Sequence, residues 1–404
     1  MSNFTQPFEK DFCFRRRQSL SEFVICIQRI RKMPSKLTLS VHAGSVGDPL
    51  YGGLVNPIYS ASAYNYDHVV LYPRYYNTPN QVAVVKKVAA LENAEDGLVF
   101  SSGMAAILTS LFAMVRAGDH IIFQNDLYGG VHSAAVHELN RYGIQYTMVD
   151  AADPRNFEKA IRKETKAIYI ETPSNPLLKI TDISAVSKIA RKHGLVTLID
   201  NTFASPVNQN PIDLGIDIVL HSGTKYIGGH SDICCGVMVS SKKLRTQIYA
   251  SATHFGGNLD AHTCYLVERS LKTMVLRVRQ QNESAQKLAE FLEAEPKIGN
   301  VYYPGLKKHP GYGVAKKQMT EGFGGMLSFE IKGDPEKFIK KLKFIRKAVS
   351  LGGVESTICS PVKTSHVKLS AAERAKVGIS DKLLRLSVGI EEAEDLIADL
   401  KQAF

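Results

Sequence analysis

Between residues 157 and 221 the chain alternates two kinds of segment. Stretches 157–163 and 183–193 read as helices, while 167–171, 195–200 and 216–221 are short and largely apolar. Unbroken apolar runs of this length suit strands buried on both faces, and their alternation with helices predicts βαβ units and a mostly parallel sheet covered on both sides. In such sheets ligands bind beyond the carboxyl ends of the strands. Two of those ends carry chemistry here. One run closes on Asp200, and Ile216-Asp217-Ile218-Val219-Leu220 is followed by the polar stretch His221-Ser222-Gly223-Thr224-Lys225-Tyr226-Ile227-Gly228-Gly229-His230-Ser231-Asp232.

Ser222, Gly223 and Thr224 are small enough to let a ligand approach the backbone, and two hydroxyls beside a lysine can hold a phosphate. Among lysine chemistries, covalent attachment of pyridoxal 5'-phosphate (PLP) needs both a phosphate cup and an amine made neutral by desolvation. Lys225 answers to both. A buried Asp200 could then pair with the protonated pyridine nitrogen and make the ring an electron sink. Upstream, Val99-Phe100-Ser101-Ser102-Gly103-Met104 reads as a strand, a turn and a helix start, so the amides of Gly103 and Met104 are candidates for binding the phosphate. Each segment also has a plainer reading: a surface lysine in a glycine-rich loop, a helix-capping aspartate, an ordinary Ser-Gly cap. The capping reading of Asp200 leaves Lys225 unexplained.

The combination of Ile199-Asp200-Asn201-Thr202, Ser222-Gly223-Thr224-Lys225-Tyr226, Gly229-His230-Ser231-Asp232 and Arg385-Leu386-Ser387-Val388-Gly389-Ile390-Glu391 resembles the Cys/Met-metabolism (trans-sulfuration) family of PLP enzymes, from about Leu39 to the C-terminus. The resemblance implies an α/β fold of the PLP-dependent transferase type (fold type I), a large domain with a mostly parallel sheet and a smaller C-terminal α/β domain. The corresponding division is a basic extension over 1–36, an arm and first helix over 37–98, a PLP-binding domain over 99–295 and a C-terminal domain over 296–404. A long helix over 260–291 should join the two.

By the same resemblance Lys225 links to the cofactor and moves protons, Tyr128 stacks on the ring and can exchange protons, and Asn175 bonds the phenolic oxygen. Ser222 and Thr224 line the phosphate cup. Arg385 and Ser350 grip the substrate's α-carboxylate. Tyr72 and Arg74 bind the phosphate of a neighbouring subunit's cofactor, which implies a homotetramer built from dimers that share active sites. Where the family has a Gly-Asn-Pro-Thr turn this chain has Tyr76-Asn77-Thr78-Pro79-Asn80, so Tyr76 is expected to add bulk near the entrance. Gly130 stands where methionine γ-lyases carry cysteine. Val349 stands where cystathionine γ-lyases and γ-synthases usually carry glutamate. With Val354-Glu355-Ser356 and Thr364-Ser365-His366, it makes the C-terminal stretch more similar to bacterial-type cystathionine β-lyases. The expected reaction is β-elimination of L-cystathionine to homocysteine, pyruvate and ammonia, with γ-elimination or γ-replacement as alternatives. A cysteine desulfurase using Cys359 and a non-catalytic binding protein are the remoter readings.

Composition narrows the partners. The net charge is +11, but residues 1–36 hold eight Lys and Arg against three Asp and Glu, leaving a mild surplus spread over the body. No zinc-finger spacing or aromatic-basic ribonucleoprotein motif accompanies it, which argues against nucleic acid as the partner. The apolar runs are too short for a bilayer span, so no membrane is expected; the six cysteines form no Cys-x-x-Cys pair and no metal-like cluster with histidine, so no metal is expected and they read as reduced cytoplasmic thiols. Cys234 and Cys235 should point to opposite faces of a strand over 233–239 and pack there. Residues 1–36, with Arg15-Arg16-Arg17, admit three readings: a targeting peptide, a disordered arm, or an overlong gene model whose working start is Met33; the acidic residues Glu9, Asp11 and Glu22 favour the last two.

Overall fold

The computed structural model of the chain describes residues 34–67, 70–365, 367, 370, 372, 374 and 377–404. The basic segment 1–33, with Cys13, Cys26 and Met33, lies outside the described residues, as does His366.

A seven-stranded sheet dominates the unit Lys36–Phe404. Its strands are β1 (Asp96–Phe100), β2 (His120–Gln124), β3 (Gln145–Val149), β4 (Thr165–Glu171), β5 (Val196–Asp200), β6 (Ile218–Ser222) and β7 (Gly236–Ser240). They lie in the order β1-β7-β6-β5-β4-β2-β3. From β6 to β3 every pairing is parallel, while β7 runs antiparallel to both neighbours. Side chains alternate across the sheet, so Phe100, Phe123 and Leu198 pack with helix Gly103–Met114, and Val99, Ile122 and Ile199 pack on the other face with helix Pro79–Glu92. Burial on both faces is why these runs read as unbroken; each such side chain contributes about 1.5–3 kcal/mol.

Two helices differ from expectation. The amphipathic pattern predicts the first helix over 81–92, whereas helix Pro79–Glu92 starts two residues earlier, with Thr78 donating its N–H to Gln81 Oε1 at 3.1 Å, and is buried along most of its length. The helix expected over 260–291 is broken into Ala261–Leu271 and Met274–Ala294. Thr273 leaves the helical region at φ −111°, ψ 2°, and Arg277 Nη2 donates to the carbonyl of Ser270 at 2.9 Å. That side chain satisfies a carbonyl at the end of the first helix. The second helix carries Met274 and Val278 into the core of the large sheet and Leu288 and Leu292 into a second core.

The second core lies on a five-stranded sheet of β8 (Ile298–Tyr302), β9 (Met326–Ile331), β10 (Arg346–Lys347), β11 (Thr357–Cys359) and β12 (Leu383–Ser387), in the order β10-β11-β12-β9-β8. β12 is central, and Arg385 sits on it in register with Cys359 and Ser328. Among the described residues no helix is long and apolar enough to cross a membrane.

Candidate active site

The ends of β4, β5 and β6 stand side by side, with Glu171 in register with Asp200 and Asp200 with Leu220. Beyond them lies a cavity of about 500 Å³. Its wall includes Gly103, Met104, Tyr128, Asn175, Asp200, Ser222, Thr224, Lys225, Val349, Ser350 and Arg385, all of them residues picked out from the sequence. Of the residues expected to touch cofactor or substrate in a trans-sulfuration enzyme, Tyr72 and Arg74 are the two that it does not include.

Lys225 Nζ donates to Ser350 Oγ at 2.9 Å. Burial first, and the charge of Arg385 second, hold the amine below the ordinary lysine value; Cys234 and Asp200 pull the other way. Arg385 is 6% exposed and reaches in from the second sheet. Its Nη1 donates to Asn175 Oδ1 at 2.9 Å and its Nη2 to the carbonyl of Ser350 at 3.3 Å. Ser350 binds both cations, and it does so at φ 79°, a left-handed backbone that costs a non-glycine residue about 1–3 kcal/mol. Such strain is retained where the surroundings enforce it.

Asp200 closes β5 in the same cavity. Burial raises its carboxyl above the ordinary range, opposed by hydrogen bonds from Thr202 and by the charges of His221 and Lys225. The Thr202 N–H donates to Asp200 Oδ1 at 2.9 Å, and Thr202 Oγ1 accepts from the Ser222 N–H at 2.8 Å, which ties the aspartate to the lysine loop. A cationic ring nitrogen beside Asp200 would offset the burial and favour its ionised form.

The remaining wall suits a phosphate. Helix Gly103–Met114 is capped by Ser102, whose Oγ accepts from Ala105 N at 3.1 Å, leaving the first-turn amides of Gly103 and Met104 without an intrahelical partner. A Cβ on Gly103 would stand 2.9 Å from Ser222 Cβ, so glycine is what lets this helix end meet the end of β6. The Thr224 hydroxyl exchanges hydrogen bonds with the backbone of Cys235, which fixes the turn. Amides at a helix N-terminus, two hydroxyls, an amine and a buried carboxylate make up a donor set that fits PLP in phosphate, aldehyde and ring nitrogen together.

The description "Cys/Met metabolism PLP-dependent enzyme" belongs to a family model that matches residues 37–404. The chain belongs to that family. A cystathionine gamma-lyase of Bacillus subtilis (strain 168) is 44% identical over 376 residues, covering 91% of this chain and 98% of the relative. A cystathionine beta-lyase of Lactococcus lactis subsp. cremoris (strain MG1363) is 44% identical over 379 residues, covering 92% and 99%. The crystal structure of cystathionine gamma-lyase from Lactobacillus plantarum complexed with L-serine superposes with a TM-score of 0.88 at 40% identity, covering 92% of this chain and 98% of that one. Fold type I and the PLP cofactor expected from the motifs are thereby established.

The geometry also corrects and extends the sequence reading of this PLP enzyme. Tyr76 does not add bulk at the entrance: it is 3% exposed, packs on Phe100 with ring centroids 5.3 Å apart, and donates its hydroxyl to the Gly256 carbonyl at 2.5 Å. It adopts the left-handed conformation a turn glycine would, at φ 55°, and turns its ring inward because the apolar core beneath the turn accepts it. The strand expected over 233–239 begins only at Gly236, so Cys235 is buried as expected while Cys234 lies in the cavity wall. Cys359 is buried in β11 and is not in that wall.

Two further wall residues, Glu171 and Thr202, stand at strand ends to which the sequence motifs assign no role of their own. Glu171 closes an apolar run as Asp200 does, and that parallel was the available signal. Tyr72 and Arg74 stay with the arm: the Arg74 guanidinium lies 5.5 Å from the Tyr72 ring centroid, and its Nη1 donates to the Thr253 carbonyl at 2.7 Å.

Proposed function

We propose that the chain is a carbon–sulfur lyase of trans-sulfuration that cleaves L-cystathionine by β-elimination to homocysteine, pyruvate and ammonia. The observation that carries the reading is Arg385, a buried guanidinium whose described hydrogen-bond partners are neutral oxygens and which faces a lysine of lowered basicity. A buried charge without a counter-ion costs several kcal/mol, so such a group fits a site that receives an anion. The α-carboxylate of an amino acid matches its planar fork.

When bound, PLP supplies the electron sink that makes the substrate's α-proton acidic. The chain's own residues then divide the work. Lys225 Nζ holds the cofactor covalently at rest and takes the α-proton, helped by the burial and the Arg385 charge that disfavour its protonated form. Asp200 keeps the ring nitrogen protonated. Gly103, Met104, Ser222 and Thr224 receive the phosphate, Asn175 faces the phenolic oxygen, and Ser350 joins Arg385 at the carboxylate. Tyr128, 44% exposed in the cavity wall, would stack on the ring, and either Lys225 or Tyr128 would protonate the departing thiolate.

The arm completes the site of a second copy through Tyr72 and Arg74, in a homotetramer of dimers. Its apolar exposure supports this reading. Val349, 66% exposed in the cavity wall, presents an apolar surface to the distal part of the substrate and favours the β-lyase. The similarity to a cystathionine gamma-lyase keeps γ-elimination as the second reading. Incubating the PLP-loaded enzyme with L-cystathionine decides between them. Pyruvate with homocysteine is the expected result; 2-oxobutyrate with cysteine would make it a γ-lyase, and neither product would redirect the assignment to γ-replacement.

A further inference from the structure

Asp200 has a second carboxyl beside it. Glu171 and Asp200 are register partners on adjacent parallel strands, both are buried, and both face the same cavity. Two carboxylates so placed cannot both hold charge cheaply. Asp200 has the better support for ionisation, from the Thr202 donors and from the nearby charges of His221 and Lys225. Glu171 has Asp126 as well as Asp200 acting against its ionisation, and it is backbone amides, not a cation, that favour its charged form. Its Oε2 accepts the Tyr128 N–H at 2.7 Å, and the backbone amide of Asn175, in the turn that Glu171 leads into, lies close enough to act on its carboxyl. Its own backbone is clasped by Gln124, which accepts the Glu171 N–H at 3.0 Å and donates to its carbonyl at 2.7 Å. Burial, then the charge of Asp200, push this carboxyl well above the ordinary glutamate range.

We propose that Glu171 is a positioning residue whose uncharged carboxyl, set beside Asp200, holds the backbones of Tyr128 and Asn175 where they face the bound cofactor. The two segments it joins come from different parts of the chain: Tyr128 caps helix Gly129–His137, and Asn175 belongs to the turn after β4 and carries Arg385 on its side chain. One carboxyl thereby couples the stacking tyrosine to the carboxylate-binding arginine. Its uncharged state leaves the single negative charge of the pair on Asp200, where the ring nitrogen needs it.

The inference rests on the stacking role given to Tyr128, so the test separates the two. Glu171→Gln, Glu171→Met and Tyr128→Ala are each purified, stripped of PLP and titrated with it. The induced circular dichroism of the visible cofactor band, which reports a fixed ring orientation, is recorded together with kcat and KM for L-cystathionine. Glu171→Met keeps the volume but removes the acceptor. It should weaken PLP binding about tenfold, diminish the dichroism and lower kcat more than it raises KM. Glu171→Gln keeps an uncharged acceptor and should stay within about threefold of the parent on every measure. A Gln variant as damaged as the Met variant would show that the negative charge is required and overturn the proposal, as would a Met variant indistinguishable from the parent. Should the Met variant fail to fold, the Gln variant decides by the same criterion. If Tyr128→Ala leaves the dichroism unchanged, the stacking role falls; if it abolishes the signal while Glu171→Met does not, the Glu171 inference fails alone.

Discussion

Asp200 and Arg385 are buried within the fold that carries them, whereas Tyr51, Leu54 and Tyr66, in the arm between helix Lys36–His42 and Pro73, stand 86, 91 and 84% exposed. The cavity floor is held by the chain's own sheets through the hydrogen bonds of Thr202, Ser350 and Asn175. The arm is pinned near its root, where Asn56 accepts from Val46 and Gly47 and donates to buried Glu268 at 2.9 Å, and at its far end through Arg74. Between those points it shows large apolar side chains to solvent. One fold thus contains a hydrogen-bonded cavity floor and an arm with a large exposed apolar surface. The division sets a lysine, a carboxyl and an arginine, preorganised by hydrogen bonds inside one fold, against an arm whose proposed phosphate contact, Arg74, lies outside the cavity wall.

Changes to the floor test its half of that contrast and should have the largest effects. Lys225→Ala is expected to remove covalently attached cofactor, read by mass spectrometry, and to cut turnover by at least about 10²–10⁴-fold. Asp200→Asn should keep the fold by circular dichroism yet lower kcat by roughly 10²–10³-fold, since the isosteric amide removes only the charge that stabilises the reacting state. A near-normal rate would dissolve the electron-sink assignment. Arg385→Lys loses the fork and should raise KM on the order of 10–100-fold with a smaller change in kcat. Removing the charge altogether, as in Arg385→Met, has a sign fixed by electrostatics: Arg385 disfavours protonated Lys225, so the free amine of the PLP-free protein should titrate at higher pH in the variant. Reaction of that amine with an acylating reagent across pH reads the midpoint.

The arm is tested by mixing. If Arg74 serves the neighbour's site, Arg74→Ala and Lys225→Ala subunits should each be defective, and unfolding and refolding them together should recover activity, because the mixed pair contains one site with both groups intact. No recovery would place Arg74 outside the shared site. A smaller effect is expected where the two halves meet. A Cβ on Gly130 would come within 2.5 Å of the Tyr128 ring, so Gly130→Cys must displace that ring and should weaken PLP binding several-fold, about what one lost ring contact is worth. Glutamate introduced at Val349 tests substrate choice: the pyruvate to 2-oxobutyrate ratio should fall, and an unchanged ratio would remove Val349 from the argument.

The floor was legible in the sequence to a degree that the arm was not. Strand ends near Asp200 and Lys225 announce themselves because burial on both faces demands unbroken apolar runs, and the polar residue that ends such a run stands out. Glu171 ends its run in the same way, but the pattern does not distinguish it, since only the register sets it against Asp200. Tyr76 misled for the opposite reason. A bulky residue at a glycine position was expected to project outward, and only the packing shows a core able to take the ring. The break at Lys272 and Thr273 is likewise hidden, because helical periodicity continues on either side and the bond from Arg277 back to Ser270, which stabilises the interruption, is not a feature of the pattern.

The sequence by itself determined the mostly parallel sheet and the candidate residues at its strand ends, because periodicity and strand-end chemistry are local properties that spacing records; the cofactor class followed from the family resemblance of its motifs. Tertiary structure decided which of those residues meet. Arg385 reaches Lys225 across 160 positions, from a different sheet, through Ser350 held in a left-handed turn. It likewise decided how two neighbouring carboxyls divide one charge. Both depend on distance and burial between segments far apart in the chain, and electrostatic energy in a low-dielectric interior varies too steeply with those quantities for any linear pattern to encode it.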